Sequence, residues 1–102
     1  MALPPQPPPI ARGEPVAPAL LAWLEHNARV RELVAKRHAF GMRKYGQPLM
    51  TEDGRDTVRD ALEEAGDLLQ YTFKARMRGG RELRELREQL PEVLECIKRM
   101  LM

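Results

Sequence analysis

Apolar residues recur at helical spacing along most of the chain. The first such stretch includes Leu20, Trp23, Leu24, Val30 and Val34, and it predicts a helix over residues 18–42. A loop follows, because the glycine and proline at positions 46 and 48 interrupt any helix. A second helix is predicted over residues 55–78.

The ends of the later elements are marked by familiar signals. Asp53 or Thr51 can cap the start of the second helix, and the glycine pair at 79–80 ends it. The helical pattern resumes at Arg81, where we expect Pro91 either to kink the element or to open a fourth helix through Met102. With few β-branched residues, these patterns predict an all-α fold, a small bundle of three or four helices.

The N-terminal segment is rich in proline and lacks the helical pattern. Seven of the nine prolines fall at or before Pro18, which predicts an extended, polyproline-like arm over residues 1–17 and an all-α domain over residues 18–102. The arm can be a ligand for a proline-binding groove. We favour a loose tail or an arm lying across a neighbouring subunit, because proline content alone is a weak signal.

Length and composition limit the number of domains and the kinds of protein that this chain can be. A chain of 102 residues with 43% hydrophobic and 31% charged residues forms one domain, whose core is expected to be large only after self-association into a homodimer or homotetramer. A single cysteine, Cys96, excludes an internal disulfide, and no apolar run reaches the roughly 18 residues of a membrane span. We expect a soluble, cytoplasmic protein.

Four carboxylates are concentrated between positions 60 and 67 of the second predicted helix. At about 100° per residue, Asp60, Glu64 and Asp67 fall within about 60° of one another, with Glu63 at the edge. Two interpretations remain open: a solvated face with local basic partners, or a site for a hard cation such as Mg²⁺. Apolar residues on the far side are expected to pack against the other helices: Val58, Ala61, Leu62, Ala65 and Leu69.

Two neighbouring residues favour a functional interpretation of this helix. Gly66 lies in its middle at a cost of about 1 kcal/mol, which indicates close approach of another element or a ligand. Tyr71 continues the acidic stripe by one turn and can stack on a base.

The segment Glu63-Glu64-Ala65-Gly66-Asp67-Leu68-Leu69-Gln70 resembles the Glu-Glu-Leu-Gly-Asp-Leu-Leu segment of MazG-type all-α nucleoside triphosphate pyrophosphohydrolases. The upstream segments 44–49 and 53–56 are similar to a compact, often phage-encoded branch that includes dATP/dGTP pyrophosphohydrolases. The resemblance covers roughly residues 29–75. It implies an enzyme that cleaves (d)NTP between the α- and β-phosphates and releases pyrophosphate, with Mg²⁺, or Mn²⁺ in its place.

The resemblance also implies roles for individual residues. The E-x-x-D half-motif falls on Glu64 and Asp67 as metal ligands and catalytic residues, assisted by Glu63 and Asp60. The family's E-x-x-E half-motif on the preceding helix is absent, and Glu32 is expected to supply a third ligand. Residues expected to contact the nucleotide are Lys36, His38, Lys44, Tyr45, Arg55 and Tyr71.

Two other classes of function remain open. A non-catalytic helical adaptor would have lost metal binding together with the missing half-motif. A nucleic-acid-binding protein would need a basic stripe with interleaved aromatic residues, and the thirteen arginines are instead spread over all the helical regions. Seventeen basic residues against fifteen acidic ones also give too even a balance to favour nucleic acid.

Overall fold

Helices make up most of the protein over the residues that the structure describes. A computed structural model describes residues 3–102, in which the helices are α1 (Val16–Trp23), α2 (Ala28–Tyr45), α3 (Thr57–Arg78) and α4 (Arg81–Met100). These residues contain no β-strand, only an isolated antiparallel bridge between Pro15 and Met50. The prediction of a small all-α fold is confirmed.

The chain forms two compact units, Met1–Asp56 and Thr57–Met102. In the N-terminal unit α1 packs on α2, and in the C-terminal unit α3 packs on α4. We call the second unit the C-terminal hairpin. Each unit is described here on its own.

The single helix predicted over residues 18–42 is wrong, because a turn at residues 24–27 divides it into α1 and α2. The Asn27 side chain accepts a hydrogen bond from the Val30 amide at 3.1 Å, which caps a new helix at that point. The Arg31 side chain donates to the Leu21 carbonyl, which ties the start of α2 to the end of α1. Apolar spacing runs through the break because both helices bury residues in the same small core.

The other helix ends follow their sequence signals closely. Gly46 ends α2 with a φ of 72°, and its amide donates to the Met42 carbonyl at 2.9 Å. Helix α3 begins two residues later than predicted, since Asp53 and Thr51 are used elsewhere. The Asp53 carboxylate accepts from the Arg55 amide at 3.1 Å, and the Thr51 hydroxyl accepts from the Glu14 amide at 3.0 Å.

Helix α4 runs without a break from Arg81 to Met100 and contains Pro91. Neither a separate helix opening at Pro91 nor a division of the element there is found. The missing proline amide leaves the carbonyl of Arg87 without its usual donor.

The proline-rich arm is hydrogen-bonded to the loop between α2 and α3. Four backbone bonds of 2.8 to 3.0 Å join the two segments, between Ile10 and Asp53, Arg12 and Glu52, Glu14 and Thr51, and Val16 and Leu49. The Arg55 guanidinium donates to the Pro7 carbonyl at 2.8 Å, and the Asp56 amide donates to the Gln6 side chain at 2.6 Å. We call residues 6–16 in this arrangement the strap.

Both units have small cores. The apolar residues that are buried are Ala17, Leu24, Val30, Ala75 and Cys96, and no described side chain is completely buried. The predicted packing of Val58, Leu62 and Leu69 is wrong, since they are 68%, 66% and 72% exposed. Ala61 and Ala65, predicted to pack beside them, are exposed as well. Helix α4 approaches α3 from another side, which is occupied by Leu68 and Ala75.

Candidate functional site

The acidic residues of α3 lie along one side of a regular, uninterrupted helix. Glu63, Glu64 and Asp67 are exposed, and Asp60, in the first turn, is half-buried. Residues three and four apart on a helix have Cβ atoms about 5–6 Å from each other. Glu64 therefore lies next to Asp60 on one side and next to Asp67 on the other.

One of these carboxylates is neutralised within the helix. The Arg59 Nε lies 3.1 Å from the Glu63 carboxylate, four residues along. The side chains of Glu64 and Asp67 have no hydrogen bond or ion pair to any residue between 3 and 102, and the same is true of Lys74, a basic residue on the same side of α3. The two residues of the half-motif are therefore the part of the stripe that retains unneutralised charge.

Glu32, the predicted third ligand, lies on the exposed surface of α2 in the N-terminal unit. Its carboxylate pairs with Lys36 Nζ at 3.1 Å, and both side chains are largely exposed. An exposed pair of this kind contributes at most about 1 kcal/mol, so Glu32 can exchange this partner for a stronger one at little cost. Its position opposite α3 stays a prediction.

Within either unit, the described residues include no group of three or more His, Cys, Asp or Glu side chains arranged to hold a metal ion. Glu64 and Asp67 lie on adjacent turns of α3, so this stripe can offer at most two neighbouring carboxylates to one cation. That number suits Mg²⁺, which usually takes one or two carboxylates and fills its remaining positions with water and phosphate oxygens.

The residues predicted to contact the nucleotide occupy three different elements. On α2, Lys36 is paired with Glu32 and His38 is half-buried. At its end, Lys44 Nζ lies 5.2 Å from the centre of the Tyr45 ring and 5.9 Å from that of Phe40. These distances place an ammonium group over aromatic faces.

The two remaining residues of that set have different surroundings. Arg55 belongs to the loop after α2, where its guanidinium holds the strap at Pro7. At least one of its N–H donors is therefore used to hold the strap and is not available to a nucleotide. Tyr71 is 67% exposed on α3, one turn beyond Asp67, which leaves its ring available for stacking.

Sequence reasoning predicted Asp53 as a possible helix cap, and it did not predict that this residue is buried and bonded to the strap. It is 7% exposed, its carboxylate accepts from the Arg55 amide, and its carbonyl accepts from the Ile10 amide at 3.0 Å. The segment that bonds to Asp53 belongs to the proline-rich arm, and no alternation of apolar and polar residues marks that segment in the sequence.

Comparisons of the chain with models of protein families, with curated proteins and with solved structures found no match. Among residues 3–102, none of the helices has the length and apolar character needed to cross a membrane.

Proposed function

We propose that the protein is a Mg²⁺-dependent nucleoside triphosphate pyrophosphohydrolase that converts a (d)NTP, with dATP and dGTP as the first candidates, into the monophosphate and pyrophosphate. The observation that carries the proposal is the pair Glu64 and Asp67. These two exposed carboxylates have no partner in the described part of the chain, and they occupy the positions at which the sequence resembles the MazG-type half-motif.

Unneutralised like charges on adjacent turns support a cation-binding role. Two such carboxylates repel each other by a few tenths of a kcal/mol even in solvent, and a bound dication reverses the sign of that interaction. When bound, Mg²⁺ neutralises charge on the phosphate oxygens. Glu64 and Asp67 would hold it, with Glu32 and Asp60 as further ligands.

Other residues of the chain would bind the nucleotide and orient the attacking water. Glu63, which is ion-paired with Arg59, would accept a hydrogen bond from the attacking water. Lys36 and Lys44 would contact phosphate oxygens, while Tyr45 or Tyr71 would stack on the base. His38 would contact the base or the sugar. Catalysis would consist chiefly of positioning and charge neutralisation.

The test is release of pyrophosphate from a panel of nucleoside and deoxynucleoside triphosphates with Mg²⁺ or Mn²⁺. Glu64→Gln and Asp67→Asn remove charge and keep size, so each is expected to lower kcat/KM at least about a hundredfold, as losing a metal ligand does. The matched control is Glu95→Gln, an exposed carboxylate without a described partner on α4. Failure of the unmodified chain to hydrolyse any nucleotide, or full activity in both α3 variants, contradicts the proposal.

A second candidate function is a non-catalytic helical adaptor. The observation that favours it is the number of large apolar side chains left exposed on α3, among them Leu62, Leu69 and Phe73. Such surfaces mark sites of protein association. Calorimetry separates the two candidates, because an adaptor is expected to show no heat of binding for Mg²⁺ with any nucleotide of the panel.

A further inference from the structure

The C-terminal hairpin exposes large apolar side chains from both of its helices. Four lie on α3 and two on α4, and each is between 45% and 72% exposed. We call this surface the hairpin face, and its members are Val58, Leu62, Leu69, Phe73, Leu94 and Ile97.

Helix geometry places these residues on one side of the hairpin. On α3, the stripe lies about a third of a turn from Leu68 and Ala75, the side that faces α4. On α4, Leu94 and Ile97 lie about a quarter turn or less from the side that faces α3, which carries the half-buried Leu86, Leu90 and Val93. Since the helices are antiparallel, connected by the glycines at 79–80, these two rotations bring both stripes to the same side.

The area of the face matches what a small stable interface needs. Large apolar side chains present about 150–200 Å² each when fully exposed, so the six together expose on the order of 600 Å². Two copies in contact would then remove about 1,200 Å² of apolar surface, the lower end of the range for specific interfaces before any polar rim is added. A patch of this size is at the upper limit for an isolated monomer.

The geometry points to a second copy of this chain as the partner, with two hairpin faces packed against each other as a four-helix bundle. A two-helix hairpin with one apolar side is half of such a bundle. The same patch on both subunits is self-complementary under two-fold symmetry, so no other partner is required. Glu64 and Asp67 lie about 140–160° around α3 from the stripe. The dimer therefore leaves them open, and this inference holds whether or not the protein is an enzyme.

The test is the molar mass of the full-length chain, measured by analytical ultracentrifugation over a hundredfold range of concentration. We expect two chains, or an even-numbered larger assembly. Leu69→Glu places a charge in the apolar bundle and is expected to halve the mass while helicity, measured by circular dichroism, is retained. The matched control is Gln70→Glu, one residue along and away from the face, which is expected to keep the mass of the unmodified chain.

If Leu69→Glu loses helicity, its mass no longer reports on association, and a less disruptive substitution on the other helix replaces it. Leu94→Gln on the other helix must then raise the dissociation constant at least tenfold. A chain that is monomeric at every concentration overturns the proposal. That conclusion does not depend on whether the N-terminal unit covers the hairpin face or leaves it exposed. An assembly that survives both Leu69→Glu and Leu94→Gln also overturns it, since association then uses another surface.

Discussion

Single residues decide which carboxylates of α3 are available to a cation. The i,i+4 spacing of Arg59 and Glu63, and of Glu32 and Lys36, makes both ion pairs predictable from the sequence. The availability of Glu64 and Asp67 was not predictable in the same way, because a basic side chain from another element could have paired with them, and only the structure shows that none of the described residues does.

Gly66 was expected to mark close approach of another element or a ligand. A Cβ built at this position meets no atom within 4 Å among the described residues, so no other element packs against it there. Gly66→Ala is therefore expected to raise the free energy of unfolding by about 1 kcal/mol, because alanine restricts the unfolded backbone and favours the helix. Urea unfolding followed by circular dichroism measures the change.

Gly41 is the control for that substitution, being a helical glycine of α2 with equally open space around it. Both alanine variants should gain stability. If a nucleotide approaches α3 at Gly66, only Gly66→Ala will also weaken pyrophosphate release. A loss of stability in Gly66→Ala alone would mean that another element packs there after all.

At the scale of the helices, the sequence predicts ends better than breaks. The end of α3 at Arg78 follows from two glycines with φ near 70°, which few other residues adopt. The break before α2 depends on one side chain, Asn27, within a stretch whose apolar spacing stays helical throughout. Apolar periodicity predicts which residues face a core. It cannot reveal the break between two short helices when both of them face the same core.

Asn27→Ala tests whether this cap sets the break. Losing the bond to the Val30 amide should lower the free energy of unfolding by about 1 kcal/mol. Hydrogen exchange should show faster exchange of the amides in the first turn of α2. Asn27→Ser keeps a capping oxygen and is expected to restore most of both. Equal stability in the alanine variant would assign the break to the Arg31 contact with Leu21 instead.

At the scale of the whole molecule, the two units are held by different kinds of interaction. The C-terminal hairpin depends on apolar side chains at helical spacing, although the covered side of α3 carries Leu68 and Ala75 and not the residues predicted to pack. The N-terminal unit is closed by the strap, whose backbone bonds carry no side-chain pattern. Its prolines at 7–9 and 15 lack amide donors, yet Ile10 and Val16 beside them donate to the loop. A proline-rich composition thus predicted an extended segment without revealing its partner.

Gly13 is the residue that lets the strap lie against the loop. Its φ is 86°, and a Cβ there would overlap the Thr51 hydroxyl and come within 3.0 Å of the Glu52 amide. Gly13→Ala should therefore release the strap, with faster hydrogen exchange at the amides that it protects, those of Ile10, Thr51 and Glu52. Exchange in the C-terminal hairpin should not change, because the bonds that protect these three amides lie within the N-terminal unit.

Gly54→Ala separates the two possible causes of that effect. Gly54 also has a positive φ, 78°, but a Cβ there meets only the Ile10 side chain at 3.7 Å, an ordinary contact. Both variants bear the cost of a left-handed alanine, about 1–2 kcal/mol, and only Gly13→Ala adds the overlap with Thr51. A larger rise in exchange for Gly13→Ala is therefore the result that assigns strap closure to this contact. Equal rises in both would assign it to backbone strain alone, and protected amides in Gly13→Ala would mean that the strap is not held through Thr51.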